Sequence, residues 1–179
     1  QLLKGEHGAR IATDRIVAAG HSYGANTTLM VSGAKVVRNG RLLQFRDPRV
    51  SAAIVISAPP FYGEDDFGPI LSGISIPTLH VTTTDDVIRI PGFGSGLDDR
   101  LKVFNAIGGS KVLAVYKQGS HNVFTEKRYF DSVEVADEVK GATEALSLAF
   151  LDQAYGKRGS LDQWRQAHRA VFAQYEHRN

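Results

Sequence analysis

The 179-residue chain has no cysteine, which rules out disulfides and thiolate chemistry but leaves the compartment open. It also has no apolar run near the ~18 residues of a membrane-spanning helix. No charged start followed by an apolar stretch and a small-residue cleavage site is visible, and any signal upstream of Gln1 would lie outside this chain. Charge of one sign is missing too. Lys and Arg number 21 against 19 Asp and Glu, giving a net charge of +2, and the basic residues are scattered except near a mildly basic C-terminal end. Such a balance offers no basic stripe for nucleic acid. Internal repeats, low-complexity tracts and long linkers are absent, so the expectation is a single domain. With 42% apolar and 22% charged residues, that domain can bury a sizeable core.

Four short apolar runs, each bounded by turn residues, stand out: Ile16–Ala19, Ala52–Ile56, Thr78–Thr82 and Val112–Tyr116. They are continuous rather than alternating and rich in β-branched residues, the pattern of strands covered on both faces. Between them lie helix-like patterns over Asn26–Val37 and Leu97–Ile107, the second stopping at Gly108-Gly109. Alternation of strand and helix predicts an α/β fold with a mostly parallel sheet and helices on both faces. Toward the end, Val135, Val139, Ala142, Leu146 and Phe150 form one helical stripe. Leu161, Trp164, His168, Val171 and Tyr175 form another, with Ser160-Leu161-Asp162-Gln163 as a capping box before it.

Gly20-His21-Ser22-Tyr23-Gly24 joins the first strand to the first helix. A Gly-x-Ser-x-Gly at a strand-to-helix turn holds its serine exposed at the carboxyl edge of the sheet, and small flanking residues let the backbone pass closely. The same turn places the Tyr23 N–H at a helix N-terminus, where it can stabilise a developing oxyanion. The competing reading is a glycine-rich connection with a serine cap, as in nucleotide-binding folds. A serine nucleophile requires a histidine base, usually oriented by a carboxylate. Open α/β sheets place both at later strand ends. The third strand runs into Thr84-Asp85-Asp86-Val87 and the fourth into Gly119-Ser120-His121-Asn122, so an acid and a histidine follow the serine in the expected order.

These stretches, together with Ile76-Pro77-Thr78-Leu79-His80-Val81, resemble the α/β-hydrolase superfamily in its dienelactone-hydrolase and carboxylesterase-like branch. The resemblance covers nearly the whole chain and corresponds to the C-terminal half to two-thirds of that fold. It implies an ester hydrolase with Ser22 as nucleophile, His121 as base and Asp86 as acid, Asp85 being the alternative acid. Tyr23 N–H would be one oxyanion donor, and no cofactor is required. It further implies a partial domain lacking the N-terminal strands and one oxyanion donor, whose exposed sheet edge invites a homodimer. A complete protein with a short sheet is the alternative. Pro60 to Ile76 is too short for a helical cap domain. Two other classes stay open: an impaired or non-catalytic binding module of this fold, and a flavodoxin-like or nucleotide-binding domain.

The remaining histidines carry blander expectations. His21 is read as a packing and hydrogen-bonding residue beside a possible substrate pocket, and His80 as a core histidine. His7, His168 and His177 lack metal-ligand spacing, so no metal is expected. Gly92–Gly96 lacks the Lys-Ser/Thr of a phosphate loop and reads as a mobile loop beside the acid. Phe61, Tyr62 and Asn122 are candidate pocket residues for a small-molecule ester. Asp65-Asp66 reads as a solvated loop and Asp98-Asp99 as a helix start.

Overall fold

Each of the four predicted runs lies in a strand, and a fifth strand joins them. A computed structural model describes residues 5, 8–10, 12–126 and 130–179. In chain order β1 (Ile16–His21) leads into α1 (Tyr23–Ser32), and a small hairpin follows, made of β2 (Lys35–Arg38) and β3 (Arg41–Gln44). Next come β4 (Val50–Ile56), a single turn α2 (Gly68–Leu71), β5 (Thr78–Asp85), and a second hairpin of β6 (Ile88–Ile90) and β7 (Phe93–Ser95). The chain ends with α3 (Leu97–Ala106), β8 (Lys111–Ser120), α4 (Val133–Ala154), α5 (Ser160–Ala167) and β9 (Phe172–Arg178). The main sheet has the order β1-β4-β5-β8-β9; its first three pairings are parallel and the last is antiparallel.

Successive strand residues face opposite sides, so each strand feeds two cores. Ala52, Ile54, Leu79, Val81, Val112 and Ala114 pack with Val139, Leu146 and Phe150 of α4 and Leu161 and Trp164 of α5. On the other face Ala53 and Val55 meet Ala25 and Leu29 of α1, Leu71 of α2 and Val103 of α3. Parallel strands covered on both faces need apolar residues at every position, which explains the unbroken runs. Among the described residues, no helix is long and apolar enough to cross a membrane. The outer edge of β1 has no strand partner among them either.

Four sequence expectations are corrected. The helix predicted over Asn26–Val37 starts earlier and stops at Ser32, because Gly33 at φ 128° caps it by donating to the Leu29 and Met30 carbonyls. Val36 and Val37 then pair with Leu43 and Leu42 in a hairpin turned by Asn39-Gly40, both with positive φ. The final stripe is not one helix: α5 ends at Ala167, and Tyr175 lies in β9, an antiparallel edge strand. Its ring still packs 5.9 Å from Trp164, so the stripe recorded a real cluster split between two elements. Gly159 at φ 86° caps α5, while Ser160 is its first residue and donates to the Lys157 carbonyl, so the predicted capping box does not form. Gly92–Gly96, expected as a loop beside the acid, instead contains the β7 arm of the second hairpin, with Ser95 buried.

Candidate active site

Ser22 sits at the end of β1 with φ 57° and ψ −125°, a conformation costing about 1–3 kcal/mol that the surrounding structure must hold. Its N–H donates to the Ile56 carbonyl of β4, and its own carbonyl accepts from Ala25 and Asn26 in the first turn of α1. The turn closes only around a residue without a side chain at position 20. A Cβ there would lie 2.2 Å from the Gly24 carbonyl oxygen and 2.8 Å from Thr28 Oγ1. Tyr23 opens α1, so its N–H has no partner within the helix, and its side chain is exposed.

The end of β8 brings the histidine back toward this serine. Gly119 adopts φ 114°, a region open mainly to glycine, and the chain turns sharply after it. His121 Nε2 lies 2.9 Å from Ser22 Oγ, and Nδ1 lies 2.7 Å from Asp86 Oδ1. Asp86 follows β5 directly and has no exposed surface. Burial pushes its carboxyl up, but the hydrogen bond from His121 and the charge of Arg100 outweigh this and hold it well below the usual carboxylate range. With Asp86 ionised, Nδ1 carries the proton, which leaves Nε2 free to accept from the Ser22 hydroxyl. Asp85, the alternative acid, is exposed at the strand end and has no bond to His121 in this arrangement.

Three residues that sequence reasoning missed support this chain. Thr82 Oγ1 donates to Asp86 Oδ2 at 2.6 Å, and Arg100 grips both carboxylate oxygens. Asp131 accepts from Ser120 twice, from the backbone N–H at 2.6 Å and the hydroxyl at 2.7 Å, and the Asn122 N–H donates to that same hydroxyl at 3.2 Å. Asp131 therefore fixes the residues on either side of His121. None of the three belongs to a short motif, so spacing gave no signal for them.

His21 lies against His121 rather than Ser22. Its Nε2–H donates to the His121 carbonyl at 2.9 Å, and the two rings are 4.7 Å apart. Burial, then the neighbouring His121, lowers its pKa. A pocket of about 570 Å³ opens beside His121, bounded by Val87, Ile88, Arg89, Asn122 and the exposed ring of Phe130. Asn122 bounds this pocket, whereas Phe61 does not. Phe61 is buried in the core, edge-on to Phe67, because the loop after β4 turns it inward. Tyr62 packs 5.0 Å from Phe93 of the β6–β7 hairpin rather than against His121. His80 is buried in β5 beside Thr78 Oγ1, where burial and then the charge of Lys111 lower its pKa to about 3. His7 lies outside the described residues, among which no cluster of His, Cys, Asp and Glu is arranged to hold a metal ion.

No protein-family model and no curated protein matches this chain.

Proposed function

We propose that this chain is a serine hydrolase of the α/β-hydrolase superfamily that cleaves carboxylic esters through an acyl-enzyme. One observation carries the reading: the unbroken hydrogen-bond chain from Ser22 through His121 to a buried, ionised Asp86. That is the set of groups that turns a weakly nucleophilic hydroxyl into an attacking alkoxide equivalent. The strained serine at a strand-to-helix turn supports it, as does the placement of all three residues at carboxyl ends of parallel strands.

In the proposed cycle Ser22 Oγ attacks the ester carbonyl while His121 Nε2 takes the hydroxyl proton. Asp86 holds the ring and stabilises the imidazolium. The Tyr23 N–H, with the positive end of the α1 dipole behind it, binds the oxyanion. His121 then gives its proton to the departing alkoxide, so the alcohol leaves on the histidine side, toward the pocket bounded by Val87, Ile88 and Phe130. Water attacks the acyl-enzyme with His121 again as base, releasing the acid and restoring the hydroxyl. Hydrolysis of p-nitrophenyl acetate and butyrate by the wild type, Ser22→Ala and His121→Ala tests this. The two variants should lose at least 10³-fold in kcat/KM, and a fluorophosphonate should label only proteins that retain Ser22. Equal rates in all three proteins would refute it.

A further inference from the structure

Arg100 is a charged residue in the core that the proposed cycle never uses. It projects from α3 and is 3% exposed. Its Nη2 donates to Asp86 Oδ1 at 3.1 Å, its Nε to Oδ2 at 3.3 Å, and its Nη1 to Ser95 Oγ of β7 at 2.7 Å. A guanidinium costs several kcal/mol to desolvate, so a purely structural link between α3 and the sheet would be served as well by apolar packing. What this one faces is the carboxylate that orients His121. Oδ1 of Asp86 accepts from His121 Nδ1 and Arg100 Nη2 together, so both donors compete for the same oxygen.

From this shared oxygen we infer that Arg100 is a positioning residue that sets the working pH of the site by neutralising Asp86 before any proton reaches His121. The inference rests on the triad reading above. Without the guanidinium, the carboxylate charge would favour the protonated form of the adjacent imidazole more strongly. With the guanidinium in place, protonating His121 adds a net positive charge next to an existing one. The guanidinium therefore opposes protonation of the imidazole, and removing it should favour the imidazolium. The cost falls on the reaction, because the imidazolium formed during attack is stabilised less. Paired contacts to both carboxylate oxygens also stop Asp86 rotating, so Oδ1 stays on the ring nitrogen.

Several other groups face the imidazole. The ring of His21 of β1 lies tilted beside it, and the solvent-facing Asp85 and Arg89 lie around the adjoining pocket. Among the described residues, Asp131 accepts hydrogen bonds from Ser120, one residue away. Of these and Arg100, Arg100 alone is a buried, permanent charge bonded to the partner of His121.

The test reads the protonation of His121 directly, so it yields an answer whether or not the chain turns over an ester. The His121 Cε1–H resonance, assigned by its loss in His121→Gln, is titrated in the wild type, Arg100→Met and Arg100→Lys, with folding checked by circular dichroism and thermal melting. Arg100→Met should raise the midpoint by about one pH unit or more, and Arg100→Lys, which keeps the charge, should stay close to the wild type. Arg100→Gln keeps N–H donors without the charge and gives the same readout should the methionine variant fail to fold. Coincident midpoints in the wild type and the neutral variants would overturn the inference, as would a lowered midpoint or an equal rise in Arg100→Lys. An esterase-inactive wild type with the expected midpoints would refute the proposed function and leave the electrostatic coupling standing.

Discussion

The two glycines of Gly20-His21-Ser22-Tyr23-Gly24 look alike in sequence, but the structure gives them opposite sensitivities to a single methyl group. In Gly20→Ala the new Cβ would sit 2.2 Å from the Gly24 carbonyl oxygen and 2.3 Å from its carbon, far inside van der Waals contact. Both are backbone atoms at the start of α1, so no side-chain rotation can relieve the clash, and the turn must open. Overpacking typically costs 1–3 kcal/mol, and a collision with backbone belongs at the upper end, about 3 kcal/mol. For a chain of this length each kcal/mol lowers Tm by about 2–4 °C, so the expected loss is roughly 6–12 °C. Because Ser22 rides on the same turn, esterase activity should fall with it, and a 1 Å displacement of a reacting group can cost about 10²-fold. Gly24→Ala is the matched control for stability. No atom lies within 4 Å of its added Cβ, and the position is helical, so alanine should stabilise by about 0.5–1 kcal/mol and raise Tm by a few degrees. Thermal melts of the two variants beside the wild type decide the matter. A Gly20→Ala protein melting within 2 °C of wild type, or a Gly24→Ala protein losing as much as Gly20→Ala, would refute the packing read at this turn.

Further outcomes follow from groups at or behind the site. His80 has a pKa near 3 in the folded protein against 6.5 for a free histidine, so the unfolded chain takes up a proton below about pH 6.5 that the folded chain refuses until about pH 3. This contribution to stability is complete above pH 6.5 and falls by up to ~1.4 kcal/mol per pH unit below it. His80→Leu should flatten Tm against pH over that window, and parallel curves would count against the assignment. Asp131→Asn removes one of the two acceptors that clamp Ser120, so kcat should drop roughly 10- to 100-fold with KM little changed, and an unchanged kcat would show that the clamp does not position His121.

The legible parts of the sequence were those where one residue type answers one local demand. Ala52–Ile56, Thr78–Thr82 and Val112–Tyr116 read as strands because both their faces are covered, and Ser22, Asp86 and His121 stood out because strand ends are where an α/β sheet presents side chains. β9 was hidden for the converse reason. An edge strand with a half-exposed face mixes polar residues among its apolar ones, and Leu161, Trp164, His168, Val171 and Tyr175 satisfied a helical period although α5, the following turn and β9 divide them. The strand character of Val36 and Val37 was signalled by Asn39-Gly40, but the apolar pattern running on from α1 masked it. Arg100 stayed invisible because its meaning depends on Asp86 fourteen residues away and on a helix packing against a strand end.

The proposed nucleophile Ser22 follows the first strand, and the proposed base His121 follows β8, 99 residues later. Between them the sheet must add β4, β5 and β8 side by side, all through long-range parallel pairings that close slowly because the loop entropy must be met before the contacts form. On the proposed reading, an assay of Ser22 reactivity doubles as a reporter of β1, β4, β5 and β8 assembled side by side. During refolding, the appearance of activity should lag helix formation and coincide with the docking of the last of these four strands.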